Sequence, residues 1–90
     1  MIVQELEFRG INLNHLKMYI EELGGKRVTE AFPFVYDADL WSAHILCEEE
    51  LTFTPVFKVN VVFIQFLTED AEVMNKIVRK FRLKTTRIGG

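Results

Sequence analysis

The side chains of this chain that are able to do chemistry are few, and their spacing decides what each is able to do. His44 and Cys47 are separated by two residues, but a regular strand sends positions three apart to opposite faces, so the pair is not expected to share a metal. His15 has no second ligand near it in sequence. Glu48, Glu49 and Glu50 form an acidic run that is able to meet a cation but reads as a charged hairpin tip, and Asp37 and Asp39 read as turn formers. Cys47 has no neighbour in sequence that lowers a thiol pKa. Missing are a nucleophile paired with a base, a glycine loop shaped for phosphate and a spaced pair of carboxylates. The chain therefore reads as a non-enzyme without a metal or cofactor.

Charge is unevenly distributed. All 13 acidic residues lie at or before Glu72, whereas Lys76, Arg79, Lys80, Arg82, Lys84 and Arg87 follow it. This C-terminal basic strip complements the negative end of a helix. It also offers phosphate contacts, but the net charge of −2 argues against a general nucleic-acid binder.

The elements that must position these groups follow from periodicity. Ile2 to Phe8 alternate as a half-buried strand, ended by Gly10. Asn12 suits a helix N-cap, with Ile11 and Leu16 as a hydrophobic staple, and Leu13, Leu16, Ile20 and Leu23 make one apolar stripe before Gly24 and Gly25 stop the helix. Val28 to Thr68 has no helical period, only β-branched and aromatic runs. Polar breaks fall at Asp37-Ala38-Asp39 and Glu48-Glu49-Glu50, with Trp41, Ala43, Ile45 and Cys47 on one face of the strand between them. Pro55 predicts an edge strand or a bend. Lys58-Val59-Asn60 either turns the chain, giving four strands here, or lets one strand run through, giving three; four is the reading taken. Thr68 is the expected N-cap of a second helix, whose stripe is Ala71, Met74, Ile77, Val78 and Phe81, leaving a short tail from Lys84 to Gly90.

At 90 residues one domain, 1–90, is expected. The apolar runs are interrupted by Lys58, Asn60 and Gln65, so no membrane span is expected. The start at Ile2 and Val3 lacks the basic and apolar regions of a signal peptide. A single cysteine excludes an internal disulfide, which makes a reducing cytoplasm the expected location.

The resulting class is α+β: an antiparallel sheet in β-α-β-β-β-β-α order with two helices on one face. This order, with the opening Leu6-Glu7-Phe8-Arg9-Gly10-Ile11-Asn12-Leu13 and the all-β middle, resembles the half-repeat of the TATA-binding-protein-like fold. More narrowly it resembles the MoaD-related C-terminal domain family, found fused to proteins like the small subunit of molybdopterin synthase. That resemblance implies a link to molybdopterin or sulfur metabolism and carries over no catalytic residue. Separately, Arg87-Ile88-Gly89-Gly90 resembles the tail of ubiquitin-like sulfur carriers, in which a slim, flexible end bears an activated carboxylate. Those carriers place a hairpin before the first helix, whereas here one strand leads straight into Asn12.

Three readings of function follow. If Trp41, Ile45, Phe53, Phe57 and Phe63 face the helices, then Leu40, Leu46, Val56, Val62, Ile64 and Phe66 lie on the opposite face beside Ser42, His44, Thr52 and Thr54. Such a face is too apolar to leave in water, and the first reading is a homodimeric interaction domain packed through it. The second is a small-molecule binder whose pocket, between helices and sheet, is lined by Tyr19, Tyr36 and Trp41. The third is a sulfur carrier acting through Gly89 and Gly90.

Overall fold

The computed structural model describes residues 1–89, with side chains through Thr86. Strand β1 (Ile2–Arg9) leads into helix α1 (Leu13–Glu22); then come strands β2 (Lys26–Arg27), β3 (Phe34–Asp37), β4 (Ser42–Thr54) and β5 (Phe57–Thr68), and helix α2 (Ala71–Gly89). The strands form one sheet in the order β1-β5-β4-β3-β2, every neighbouring pair antiparallel. The α+β class and the element order are those expected from the sequence, but several boundaries move.

Glu48-Glu49-Glu50 and Lys58-Val59-Asn60 are not turns. Both lie inside strands, paired Glu48↔Val62, Glu49↔Val61, Glu50↔Asn60 and Thr52↔Lys58. The hairpin turns instead at Pro55-Val56, where the Thr54 hydroxyl oxygen accepts from the Val56 and Phe57 amides at 3.3 and 2.9 Å. Proline has no amide to give a ladder, and a turn is where that loss costs nothing. Four strands still separate the helices because the short β2 supplies the fourth.

Helix α1 begins as expected, with the Asn12 side chain accepting from the Asn14 amide at 2.8 Å. It ends in a double closure: the Gly24 amide donates to the Glu21 carbonyl and the Gly25 amide to the Ile20 carbonyl, both at 3.0 Å. Gly24 holds φ +110°, a conformation that strains any residue bearing a Cβ. The cap of α2 is Asp70, not Thr68: its carboxylate accepts from the Glu72 amide at 2.7 Å. Thr68 is buried, and its hydroxyl donates to the Leu40 carbonyl at 2.7 Å, tying the β3–β4 loop to the end of β5. Where a short tail was expected, α2 continues to Gly89.

Both helices cover one side of the sheet. Leu6 and Phe8 of β1, Phe34 and Tyr36 of β3, Ala43 and Ile45 of β4, and Val62, Ile64 and Phe66 of β5 meet Leu16, Tyr19 and Ile20 of α1 and Met74, Ile77, Val78 and Phe81 of α2. At the centre, the Phe81 ring stands edge-on to Phe8 at 5.2 Å, Phe66 at 5.3 Å and Tyr19 at 6.4 Å. Lys84 joins the helices through Glu22 at 2.9 Å. Among the described residues no helix is long and apolar enough to cross a membrane.

Candidate functional site: the uncovered sheet face

The register defines which side chains occupy the side away from the helices. β1 pairs with β5 only from Val61 to Thr68, and β3 pairs with β4 only from Ser42 to Ile45. Beyond these limits β4 and β5 continue as a two-stranded arm that reaches the turn at Pro55-Val56. The molecule is accordingly elongated, 43 × 28 × 21 Å.

Along β5, alternation from the buried Val62, Ile64 and Phe66 sends Phe57, Val59, Val61, Phe63 and Leu67 to the side away from the helices, where Phe57 is exposed, Val59, Phe63 and Leu67 are half-buried and Val61 is itself buried. Their partners on β4, Leu51 opposite Val59 and Cys47 opposite Phe63, join them. Phe53 and Phe57 at the tip are each 56% exposed, with rings 5.8 Å apart. The result is an apolar stripe the length of β5, interrupted by Gln65 and bordered by Glu5, Glu7 and Glu49. Arg9 answers Glu7 at 3.0 Å.

The expected interface residues are placed differently. Val62, Ile64 and Phe66 are fully buried against the helices, and Phe63, expected in the core, is on the other side. Because β5 is apolar on both faces, its own alternation does not tell one side from the other; only pairing with β1 and β4 does. Leu40, 68% exposed, sits in the β3–β4 loop, and Val56, 94% exposed, at the hairpin turn. Leu46 is the extra residue of a bulge between Ile45 and Cys47. That bulge has a second consequence: His44, opposite Gln65, and Cys47, opposite Phe63, share the uncovered side, contrary to the expectation for a regular strand. Cys47 is thus partly exposed and not in the core beside Trp41. No group of three metal-ligating side chains occurs among the described residues. The three glutamates of β4 alternate in direction, Glu48 accepting from Asn60 at 3.0 Å and Glu50 lying 3.7 Å from Lys58.

The aromatic residues expected to line one pocket are dispersed. Tyr19 packs on Phe81. Tyr36 is fully buried, its hydroxyl without a hydrogen-bond partner; burial first, then the nearby Glu21 carboxylate, pushes its pKa above the ordinary 10.0, against a smaller pull from Arg27. Trp41 borders a cavity between the end of α1, the β3–β4 loop and α2. Of the expected carrier tail, Gly89 ends α2 and Gly90 lies outside the described residues.

The phenylalanine-tipped arm was missed by sequence reasoning. Its signal was the alternation Leu51, Phe53, Phe57, Val59, Val61, Phe63 on either side of Pro55-Val56, legible once that dipeptide, and not the glutamate run, is taken as the turn.

Sheet and helix layer together define a small antiparallel α+β protein with one sheet face not covered by its helices. Over residues 4–90 the chain matches the family model described as archaeal MoaD-like protein, and it belongs to that family. The membership fits a small molybdopterin-related or sulfur-carrier-like protein. No curated protein matches the chain.

Proposed function

We propose that the chain is a non-enzymatic, self-associating interaction domain, cytoplasmic and serving molybdopterin or sulfur metabolism, whose uncovered sheet face packs against a second copy. The observation that carries this reading is the apolar stripe from Phe53 and Phe57 through Val59 and Phe63, broken by Gln65, to Leu67. A two-stranded ribbon is marginal by itself in water, yet here the ribbon carries two exposed phenylalanines at its end. A second copy related by a two-fold axis presents the same stripe to it, so both ribbons gain a covering layer in one contact. The carboxylates along the border argue against nucleic acid as the occupant.

Light scattering at micromolar concentration tests the reading. The expected mass is twice the 10.5 kDa of one chain, and the double substitution Phe53→Glu, Phe57→Glu should yield a folded monomer with an unchanged circular dichroism spectrum. A wild-type mass of one chain overturns the proposal.

Family membership favours a second reading, a sulfur carrier using Gly89-Gly90. Against it, one strand precedes α1 where such carriers have a hairpin, and α2 runs to Gly89, so its last turn must unwind for the tail to enter an adenylating enzyme. Incubation with such an enzyme, ATP and a sulfur donor separates the readings: a carrier gains the mass of an oxygen-to-sulfur exchange, lost on deletion of Gly89 and Gly90, whereas an interaction domain does not change.

A further inference from the structure

The cavity beside Trp41 lies on the helix side of the sheet, opposite the stripe, and has a volume of about 460 Å³, within the range of small-molecule sites. One part of its wall is apolar: the partly buried Trp41 indole, which packs on Phe66 at 5.9 Å, with Leu23 and Ile77 beside it. The local backbone makes this space. Gly24 supplies no side chain where the chain leaves α1, and at Gly25 an added Cβ would come within 3.2 Å of the indole.

Three exposed lysines line the rest of the cavity. Lys26 comes from β2, and Lys76 and Lys80 come from successive turns of α2. Elsewhere Arg9 pairs with Glu7, Arg27 with Glu30, Lys58 with Glu50 and Lys84 with Glu22, whereas Lys17, Arg79 and Arg82 have no such pair among the described residues but do not share this cavity's wall with other cations. Among the described residues none of the three cavity lysines has a carboxylate within 4.0 Å, and Asp39 is the one acid on the rim. Like charges four apart on a helix repel, and a third cation facing them adds to the repulsion. An anion relieves all three interactions at once, while the indole wall suits a flat ring.

We infer that this cavity binds a nucleotide-like ligand, a planar ring carrying a di- or triphosphate, with the ring against Trp41 and the phosphates among Lys26, Lys76 and Lys80. The inference is independent of self-association, since the residues are on the other side of the sheet.

Trp41 is the single tryptophan, so its fluorescence reports the site directly. Titration of the full chain with ADP should change the emission saturably. The double substitution Lys76→Ala, Lys80→Ala, at two exposed positions, should weaken ADP by about tenfold or more without lowering the thermal midpoint of the unliganded protein, since it removes like charges that repel. Tripolyphosphate and adenosine, tested separately, should each bind more weakly than ADP. No saturable change up to about 10 mM ADP, a concentration far above the affinity of a useful site, overturns the inference, as does equal affinity in wild type and double variant. Tripolyphosphate binding as tightly as ADP also overturns it, by removing the ring from the ligand class.

Discussion

At the scale of single residues, Tyr36 is the group whose chemistry its surroundings most constrain. Its ring is needed in the core, but its hydroxyl has been taken from water without a hydrogen bond in exchange. An unsatisfied buried hydroxyl costs about 1–3 kcal/mol, so Tyr36→Phe is expected to leave stability unchanged or raise it by about 1 kcal/mol. A loss larger than that in urea denaturation contradicts the orphaned hydroxyl. The raised pKa gives the same residue a pH signature. Because the folded state holds the phenolic proton more tightly than the unfolded state, the folded state binds more protons once pH passes the ordinary 10.0. Stability from this source is thus complete below that pH and lost as pH rises through the folded-state pKa. Above pH 10 the wild type should lose stability faster than Tyr36→Phe; parallel profiles contradict the assignment.

At the scale of elements, the turn from α1 into β2 uses two adjacent glycines for different reasons. Gly24 is required by its backbone, at φ +110° with open space around it, whereas an added Cβ at Gly25 would lie 2.8 Å from Ile20 Cγ2 and 3.1 Å from the Ile20 carbonyl oxygen. Gly25→Ala is therefore expected to cost about 1–3 kcal/mol through overpacking and to disturb Trp41, seen as a shift in its emission. Gly24→Ala should destabilise through backbone strain and leave that emission alone. A matching shift in both variants contradicts the division of roles.

At the scale of the whole molecule, one aromatic cluster joins the two layers. Phe81 of α2 touches the rings of Phe8 on β1, Phe66 on β5 and Tyr19 on α1, so elements distant in sequence depend on one side chain. Phe81→Ala is expected to cost about 3–5 kcal/mol, a large share of the stability of so small a protein. Loss of the cooperative thermal transition, or its displacement far below that of the wild type, is the expected result. Phe53 and Phe57 lie at the tip of the β4–β5 arm, outside this core, so Phe53→Glu and Phe57→Glu are expected to change assembly without changing the core.

Sequence alone determined the elements that carry a one-sided pattern. β1 alternates, α1 and α2 each show an apolar stripe, and Asn12 and the glycine pair mark helix ends by local chemistry. Those signals suffice for the α+β class and the order of the elements. Tertiary structure alone decided which side chains make that face. β5 is apolar in both directions, and of two register shifts in β4 the one between Ile45 and Cys47 inverts the facing of the residues that follow and the one between Thr52 and Thr54 restores it. A strand's neighbours set its register, and a one-residue slip exchanges the inside for the outside. Val62, Ile64 and Phe66 therefore came to rest under the helices, and Phe63 did not. The lysine-ringed cavity has the same origin: Lys26 and Lys80 are far apart in the chain, and only the packing of α2 beside the Gly24-Gly25 turn brings their charges to one opening.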